Sequence, residues 1–268
     1  MNILMPMAGA GRRFADRGYK QLKPLIPTTE RRDGKTYPMV ICAMHDVMEC
    51  ADSHTVPIFV IRSDYHENIR NVITDYYPDA VLIGVDHLTE GQACTCLLAK
   101  AYIDGDDPLL IAGCDNGMVF EKARFRQAAA ATDVLVFTYR HNESVLASPN
   151  SYGWVQTDGT ERVTGVSVKK AISDHPLDDY AIVSSFWFRR GRDFVKCAEE
   201  MIACNDRING EFYVDQVIAY CLRHGLTTKV FEIERYLGWG TPEDYECYEQ
   251  TLDYWRAFTK SDAFRPRE

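Results

Sequence analysis

Four residues near the start of the chain are of the kinds that hold a polyphosphate. They are Gly9, Gly11, Arg13 and Lys23, in the stretches Ala8-Gly9-Ala10-Gly11-Arg12-Arg13-Phe14 and Gln21-Leu22-Lys23-Pro24-Leu25. Two glycines let the backbone approach anionic oxygens and aim successive N–H groups into one hollow, with no Cβ in the way. Arg13 adds a planar fork of donors suited to β- and γ-phosphate oxygens, and Lys23 a compact charge suited to an α-phosphate. Other phosphate loops do not fit. A dinucleotide fingerprint needs a third glycine where Phe14 stands, and the loop does not end in the Gly-Lys-Ser/Thr of a Walker motif. The partner motifs of a kinase glycine loop, His-Arg-Asp and Asp-Phe-Gly, do not occur. The plainer alternative is a tight turn with surface arginines, since Gly-x-Gly alone is a weak pattern.

Two further segments carry candidate chemistry. Leu109-Leu110-Ile111-Ala112-Gly113-Cys114-Asp115-Asn116 reads as an apolar strand that delivers Asp115 to its carboxyl end, where ligands bind in open α/β sheets. Mg²⁺ takes oxygen donors, commonly one or two carboxylates plus substrate phosphates, so Asp115 is the candidate metal ligand. The alternative there is an Asx-Gly turn. In Asp86-His87-Leu88-Thr89-Glu90-Gly91-Gln92-Ala93, Gly91 can lie under a base ring and Asp86 can meet the base edge, while Thr89 reads equally well as a helix N-cap.

These residues need elements that bring them to one edge. Strand-like runs at 2–6, 57–62, 80–84, 109–113 and 134–139 alternate with helical patterns at 38–50, 65–76, 92–102 and 121–131. Such alternation predicts βαβ units and an α/β fold with a mostly parallel sheet. From 151 to 190 the pattern turns hairpin-like, with runs at 152–156, 163–169 and 180–189 and a turn at Asp158-Gly159, which predicts a small antiparallel lobe facing a substrate. Helices follow at 193–204 and 211–224, then a strand near 229–234. Thr241-Pro242-Glu243-Asp244 supplies an N-cap, a first-position proline and an acid for a last helix to about 258. No Pro/Gly/Ser-rich linker divides the chain. We therefore expect a single domain over 1–258, with a nucleotide-binding half (1–140), an acceptor half (141–240), the helix 241–258 and a tail 259–268.

Composition excludes several classes. A net charge of −9 offers no global attraction to nucleic acid or an anionic membrane, so an anionic ligand must be held locally. The nine cysteines form no Cys-x-x-Cys pair and sit inside apolar or helical patterns, which argues for reduced thiols and a cytoplasmic protein. No apolar run approaches eighteen residues.

Taken in order, Gly9-x-Gly11-x-Arg13-Phe14, Lys23-Pro24-Leu25, Glu90-Gly91-Gln92-Ala93, Asp115 and Gly240-Thr241-Pro242-Glu243-Asp244 resemble the nucleotidyltransferase family, the sugar-phosphate nucleotidylyltransferases or pyrophosphorylases. The resemblance implies a three-layer, Rossmann-like (GT-A-like) fold with helices on both faces of the sheet. It also implies Mg²⁺-dependent transfer of NMP from an NTP to a phosphorylated small molecule, with release of pyrophosphate, in capsule or other surface-polysaccharide precursor synthesis.

Under that resemblance Arg13 and Lys23 are the catalytic pair, and Ala8, Gly9, Ala10, Gly11, Arg12, Asp86, Glu90 and Gly91 bind the nucleotide. Tyr152, Gly153 and Lys170 bind the acceptor, and Asp115 holds the metal. Several departures from the pattern stand out. The acceptor motif Glu-Lys-Pro becomes Lys169-Lys170-Ala171, and the second metal aspartate is replaced by Gly238, leaving Asp215 and Glu211 as substitutes. Asp86 stands where relatives use glutamine. A carboxylate only accepts hydrogen bonds, which favours CTP, then GTP. The competing readings are a GT-A glycosyltransferase that consumes a nucleotide sugar, and a nucleotide-binding regulatory protein without turnover.

Overall fold

The computed structural model describes residues 1–260. In chain order the elements are β1 (Asn2–Met7), α1 (Arg12–Asp16), β2 (Pro27–Thr29), β3 (Thr36–Pro38), α2 (Met39–Val47), β4 (Val56–Arg62), α3 (His66–Tyr76), β5 (Val81–Val85), α4 (Gln92–Leu97), α5 (Lys100–Ile103) and β6 (Leu109–Ile111). Then come β7 (Asn116–Val119), α6 (Lys122–Ala130), β8 (Val134–Tyr139), β9 (Gly153–Thr157), β10 (Val163–Val168), β11 (Tyr180–Phe188), α7 (Gly191–Ala203), α8 (Val214–Arg223), β12 (Thr228–Glu232), β13 (Arg235–Gly238) and α9 (Pro242–Lys260). The expected α/β alternation is present. The tail expected from 259 falls, beyond Lys260, outside the described residues.

One large sheet organises the molecule. β6, β1, β4 and β5 lie side by side in parallel, and β11 joins the sheet antiparallel to β6. β8 covers the other edge of β11, with β12 parallel beyond it. The hairpin of β9 and β10 attaches through Tyr180 and Ala181 of β11, on the side that β6 uses further along. This hairpin is the antiparallel lobe read from the sequence.

Both faces of the sheet are buried, which makes the three layers. Side chains alternate along a strand, so Ile3, Met5 and Met7 of β1 pack towards α2 and α3, while Leu4 joins α4, α7 and α8 on the opposite face. The same split places Phe59 and Ile61 opposite Ile58 and Val60 in β4. Among the described residues no helix is long and apolar enough to cross a membrane.

The structure differs from the sequence reading at two short ribbons, β2–β3 and β7–β13, each strand only three or four residues long. Runs that short carry no readable alternation. The helix expected over 92–102 is divided into α4 and α5. Thr89 does not cap it: the Thr89 hydroxyl bonds the Gly91 carbonyl and the Thr95 hydroxyl, and Gly91 occupies the cap position at φ 137°.

Candidate active site

The loop that follows β1 lies at the carboxyl end of the parallel strands, as its residue types require. Gly11 adopts φ 60° and ψ 20° at the start of α1, a left-handed conformation that glycine takes without strain. A Cβ on Gly9 would meet no atom within 4 Å, so its backbone is open to the cleft. Three adjoining cavities run from this loop across the sheet edge. The first, about 500 Å³, is lined by Ala8, Gly9, Ala10, Arg12, Thr89, Gly91, Gln92 and Glu211. The second, about 260 Å³, lies between Gly9, Gly11, Lys23, Asp115 and Ser184. The third, about 590 Å³, extends from Arg13 and Asp115 to Tyr152, Gly153, Lys169, Tyr213 and Asp215.

Lys23 sits at the junction. Its Nζ donates to Asp115 Oδ2 at 2.5 Å and to the Gly240 carbonyl at 3.0 Å, and lies 5.4 Å from the centroid of the Phe14 ring. Burial alone disfavours the ammonium, but the Asp115 carboxylate more than offsets it, and the Lys23 pKa is raised. Burial likewise opposes the Asp115 charge, yet Lys23 holds its carboxyl below the ordinary value. The pair is thus charged on both sides at neutral pH. The β7–β13 ribbon fixes the arrangement, because Asp115 enters β7, Gly240 follows β13, and Trp239 N donates to the Asp115 carbonyl at 3.0 Å.

Arg13 reaches the third cavity and makes no ion pair among the described residues, so its guanidinium is available to an anion. A metal centre of several protein ligands is absent: among the described residues no three His, Cys, Asp or Glu side chains gather to hold an ion. What the cleft offers a cation is the Asp115 carboxylate, about one-third exposed, beside the loop glycines.

The structure corrects three placements. Asp86 is 88% exposed, bonds His87 Nδ1 at 2.7 Å and does not line the first cavity. Glu90 turns its side chain outward to Arg207 Nη2 at 2.9 Å, while its backbone carbonyl accepts from Phe212 N. Lys170 is exposed and outside the cavity; Lys169, at φ 57°, enters instead. Both lysines lie past the end of β10, so strand alternation does not choose between them; the left-handed turn at Lys169 does. Lys169 Nζ donates to the Ser151 carbonyl and lies 5.3 Å from the Tyr213 ring centroid. Gly91 has a stricter reason to be glycine than base contact: a Cβ there would fall 2.5 Å from the backbone N and O of Phe212.

Asp215 is the second candidate metal ligand in the sequence. It is 7% exposed and lies against Gly153, where a Cβ would overlap its Oδ2. Burial pushes its pKa up to about 6, with Lys169 opposing the shift. Ionising Asp215 therefore costs native stability as pH rises from about 4 to about 6, by at most about 3 kcal/mol. Asp215→Asn is expected to be more stable than the parent at pH 7, with the advantage gone near pH 4. Urea denaturation of both proteins from pH 4 to 8 checks it, and a constant difference across that range would remove the burial argument.

Sequence reasoning also missed Gln92 and Ser184 as lining residues. Gln92 faces all three cavities, yet its motif directs attention to Gly91. Ser184-Ser185 is visible in retrospect as a polar pair inside an otherwise apolar strand.

No family model matches the chain, and no curated protein matches it. Solved structures do. The nucleoside-diphosphate-sugar pyrophosphorylase of Vibrio cholerae RC9 superposes with a TM-score of 0.74 at 19% identity, covering 92% of this chain and 99% of that one. The inositol-1-phosphate CTP transferase of T. maritima gives 0.70 at 14% identity, with 94% of each chain covered. A UDP-glucose pyrophosphorylase complexed with UDP-glucose gives 0.68 at 16% identity, covering 96% and 98%. At these identities the likeness establishes a shared fold over nearly the whole chain.

Proposed function

We propose that this chain is a nucleotidyltransferase that moves NMP from an NTP to the phosphate of a small-molecule acceptor and releases pyrophosphate. The observation that carries the reading is Lys23, held between Asp115 and the Gly240 carbonyl in the small cavity that lies between a nucleotide-sized one and one large enough for an acceptor. The base and ribose enter the first cavity, the triphosphate lies along Gly9 to Gly11, and the acceptor phosphate approaches from the third. The neighbours act on different nucleotides, as their names state for CTP and UDP-glucose, which suits a common phosphate site with a variable base site.

In the reaction an acceptor phosphate oxygen attacks the α-phosphorus in line. A new P–O bond forms, the bond to the β-phosphate bridging oxygen breaks, and pyrophosphate leaves with the electron pair. Lys23 neutralises charge on the α-phosphate, and Arg13, which with Gly11, Arg12 and Lys23 also lines a cavity of about 270 Å³ beside the loop, binds the departing β- and γ-oxygens there. Lys169 supplies the positive charge of the acceptor cavity, and Asp215 accepts hydrogen bonds from acceptor donors. Mg²⁺ fits at Asp115, because one carboxylate plus phosphates and water is a common set for this ion. When bound it would neutralise phosphate charge.

The nucleotide is open: the argument for CTP loses its carboxylate once Asp86 points to solvent, so all four NTPs enter the assay on equal terms. Pyrophosphate release is measured for each NTP with Mg²⁺ against hexose 1-phosphates, polyol phosphates, phosphocholine and phosphonates. Release with at least one pair is expected, together with its loss in EDTA and in Asp115→Ala. Release of NDP from NDP-sugars instead would assign a glycosyltransferase. NTP binding without any release would assign a regulatory protein.

A further inference from the structure

β11 changes neighbours in mid-strand. On one edge it pairs with β9 through Tyr180 and Ala181 and with β6 through Phe186, Trp187 and Phe188, leaving the residues between them unpaired there. On its other edge Ile182 pairs with Thr138 and Phe186 with Val136, so β11 spends four residues where β8 spends two. A bulge of this kind bends a strand and re-aims a side chain. At its centre Ser184 takes φ 59°, a left-handed conformation that is unfavourable for a residue with a Cβ. Strain of this sort concentrates at functional sites, and Lys169, another of the left-handed non-glycine residues, lines the same cavity.

The position is specific. Ser184, Gln92 and Asp115 line both the space beside Lys23 and the acceptor cavity. Asp115 has no donor to offer a phosphate oxygen: its Oδ2 accepts from Lys23, and a carboxylate meets phosphate only through a cation. The Ser184 side chain is half-buried and makes no hydrogen bond among the described residues. Glycine would occupy this backbone without strain, so the fold alone gives no reason for a hydroxyl here.

We propose that the Ser184 hydroxyl donates a hydrogen bond to a phosphate oxygen at the point where the acceptor phosphate meets the α-phosphoryl group. This rests on the nucleotidyl-transfer reading of the cleft. Ser184 is then a residue of the reacting centre, contributed by the bulge.

Ser184→Gly removes the hydroxyl and the strain together, whereas Ser184→Ala removes the hydroxyl alone. With the NTP and acceptor that give the fastest pyrophosphate release, both variants are expected to lose about 10- to 100-fold in kcat, less than the ~100- to 1,000-fold of a preorganised oxyanion donor because a neutral hydroxyl is the weaker donor. The KM for the NTP should change less than about threefold. The glycine variant should also melt about 2 °C higher, because relief of strain acts on stability alone. A residue needed only to shape the bulge would give a glycine variant of unchanged kcat, and that result overturns the proposal. If the parent protein releases no pyrophosphate from any pair, the reaction reading fails separately. Inorganic phosphate titrated calorimetrically then decides on Ser184: affinity at least threefold weaker in Ser184→Gly supports the contact, and equal affinity removes it.

Discussion

Lys23→Ala is expected to lower kcat for pyrophosphate release by about 100- to 1,000-fold, the size seen when one preorganised charge-stabilising donor is lost. Its ammonium is already fixed by Asp115 at 2.5 Å and the Gly240 carbonyl at 3.0 Å, so little reorganisation is needed when the α-phosphate arrives. Stability should fall far less, because the pair is partly exposed and such ion pairs contribute about 1 kcal/mol or less. Single-turnover measurements separate the chemical step from binding, and a thermal melt confirms folding. The stronger test is the double variant with Asp115→Asn. If Lys23 acts chiefly by holding Asp115 in place, the double variant loses no more than the worse single one. If Lys23 also touches the phosphate, as proposed, the double variant loses more than either single one. Turnover within tenfold of the parent in Lys23→Ala would take Lys23 out of the reacting centre.

The legible half of the site is the half made by local chemistry. Gly9, Gly11, Arg13 and Lys23 are close in sequence, and their types name a phosphate loop before any fold is known. Asp115 was readable because a long apolar run ends on it. The acceptor side was not readable in the same way, since Lys169, Asp215 and Ser184 come from three elements that meet only in the folded sheet. Choosing between Lys169 and Lys170 requires the path of the bend after β10, where Lys169 takes a left-handed conformation that its residue type does not announce. Asp86 misled for a related reason. Counting back from Gly91 assumes a loop of fixed path, and this loop turns Asp86 to His87 and the solvent.

The fold shows the same division. The βαβ alternation and the hairpin lobe were carried, apart from the three-residue β6 inside a longer apolar run, by strands of five or more residues, whose period survives in the sequence. The β7–β13 ribbon was invisible, because β7 reads as part of the turn after Asp115 and β13 as the approach to α9. Yet this ribbon presents both Asp115 and Gly240 to Lys23, so the precision of the site depends on an element too short to announce itself. What fastens that ribbon is correspondingly important.

Asp46 fastens it, and Asp46→Ala is expected to cost about 1–3 kcal/mol of stability, the range for leaving a buried donor unsatisfied. Asp46 is fully buried on α2, with Oδ1 accepting from Arg31 Nη1 at 2.6 Å and Arg32 Nη2 at 2.8 Å. Its Oδ2 accepts from Met118 N in β7 at 2.8 Å. The same oxygen would lie 2.9 Å from a Cβ on Gly117, and Trp239 of the ribbon's return crowds that position equally. Alanine would leave the buried Met118 N–H without a partner and two guanidinium groups facing a gap. Urea denaturation reads the loss, and a change below about 1 kcal/mol would show that Asp46 is a dispensable ion pair. The loss should also reach the site. With β7 unfastened, Asp115 and the Gly240 carbonyl no longer hold Lys23 in one place, so kcat falls in the protein that remains folded, whereas an equally destabilising core change such as Ile73→Ala in α3 leaves kcat near the parent value.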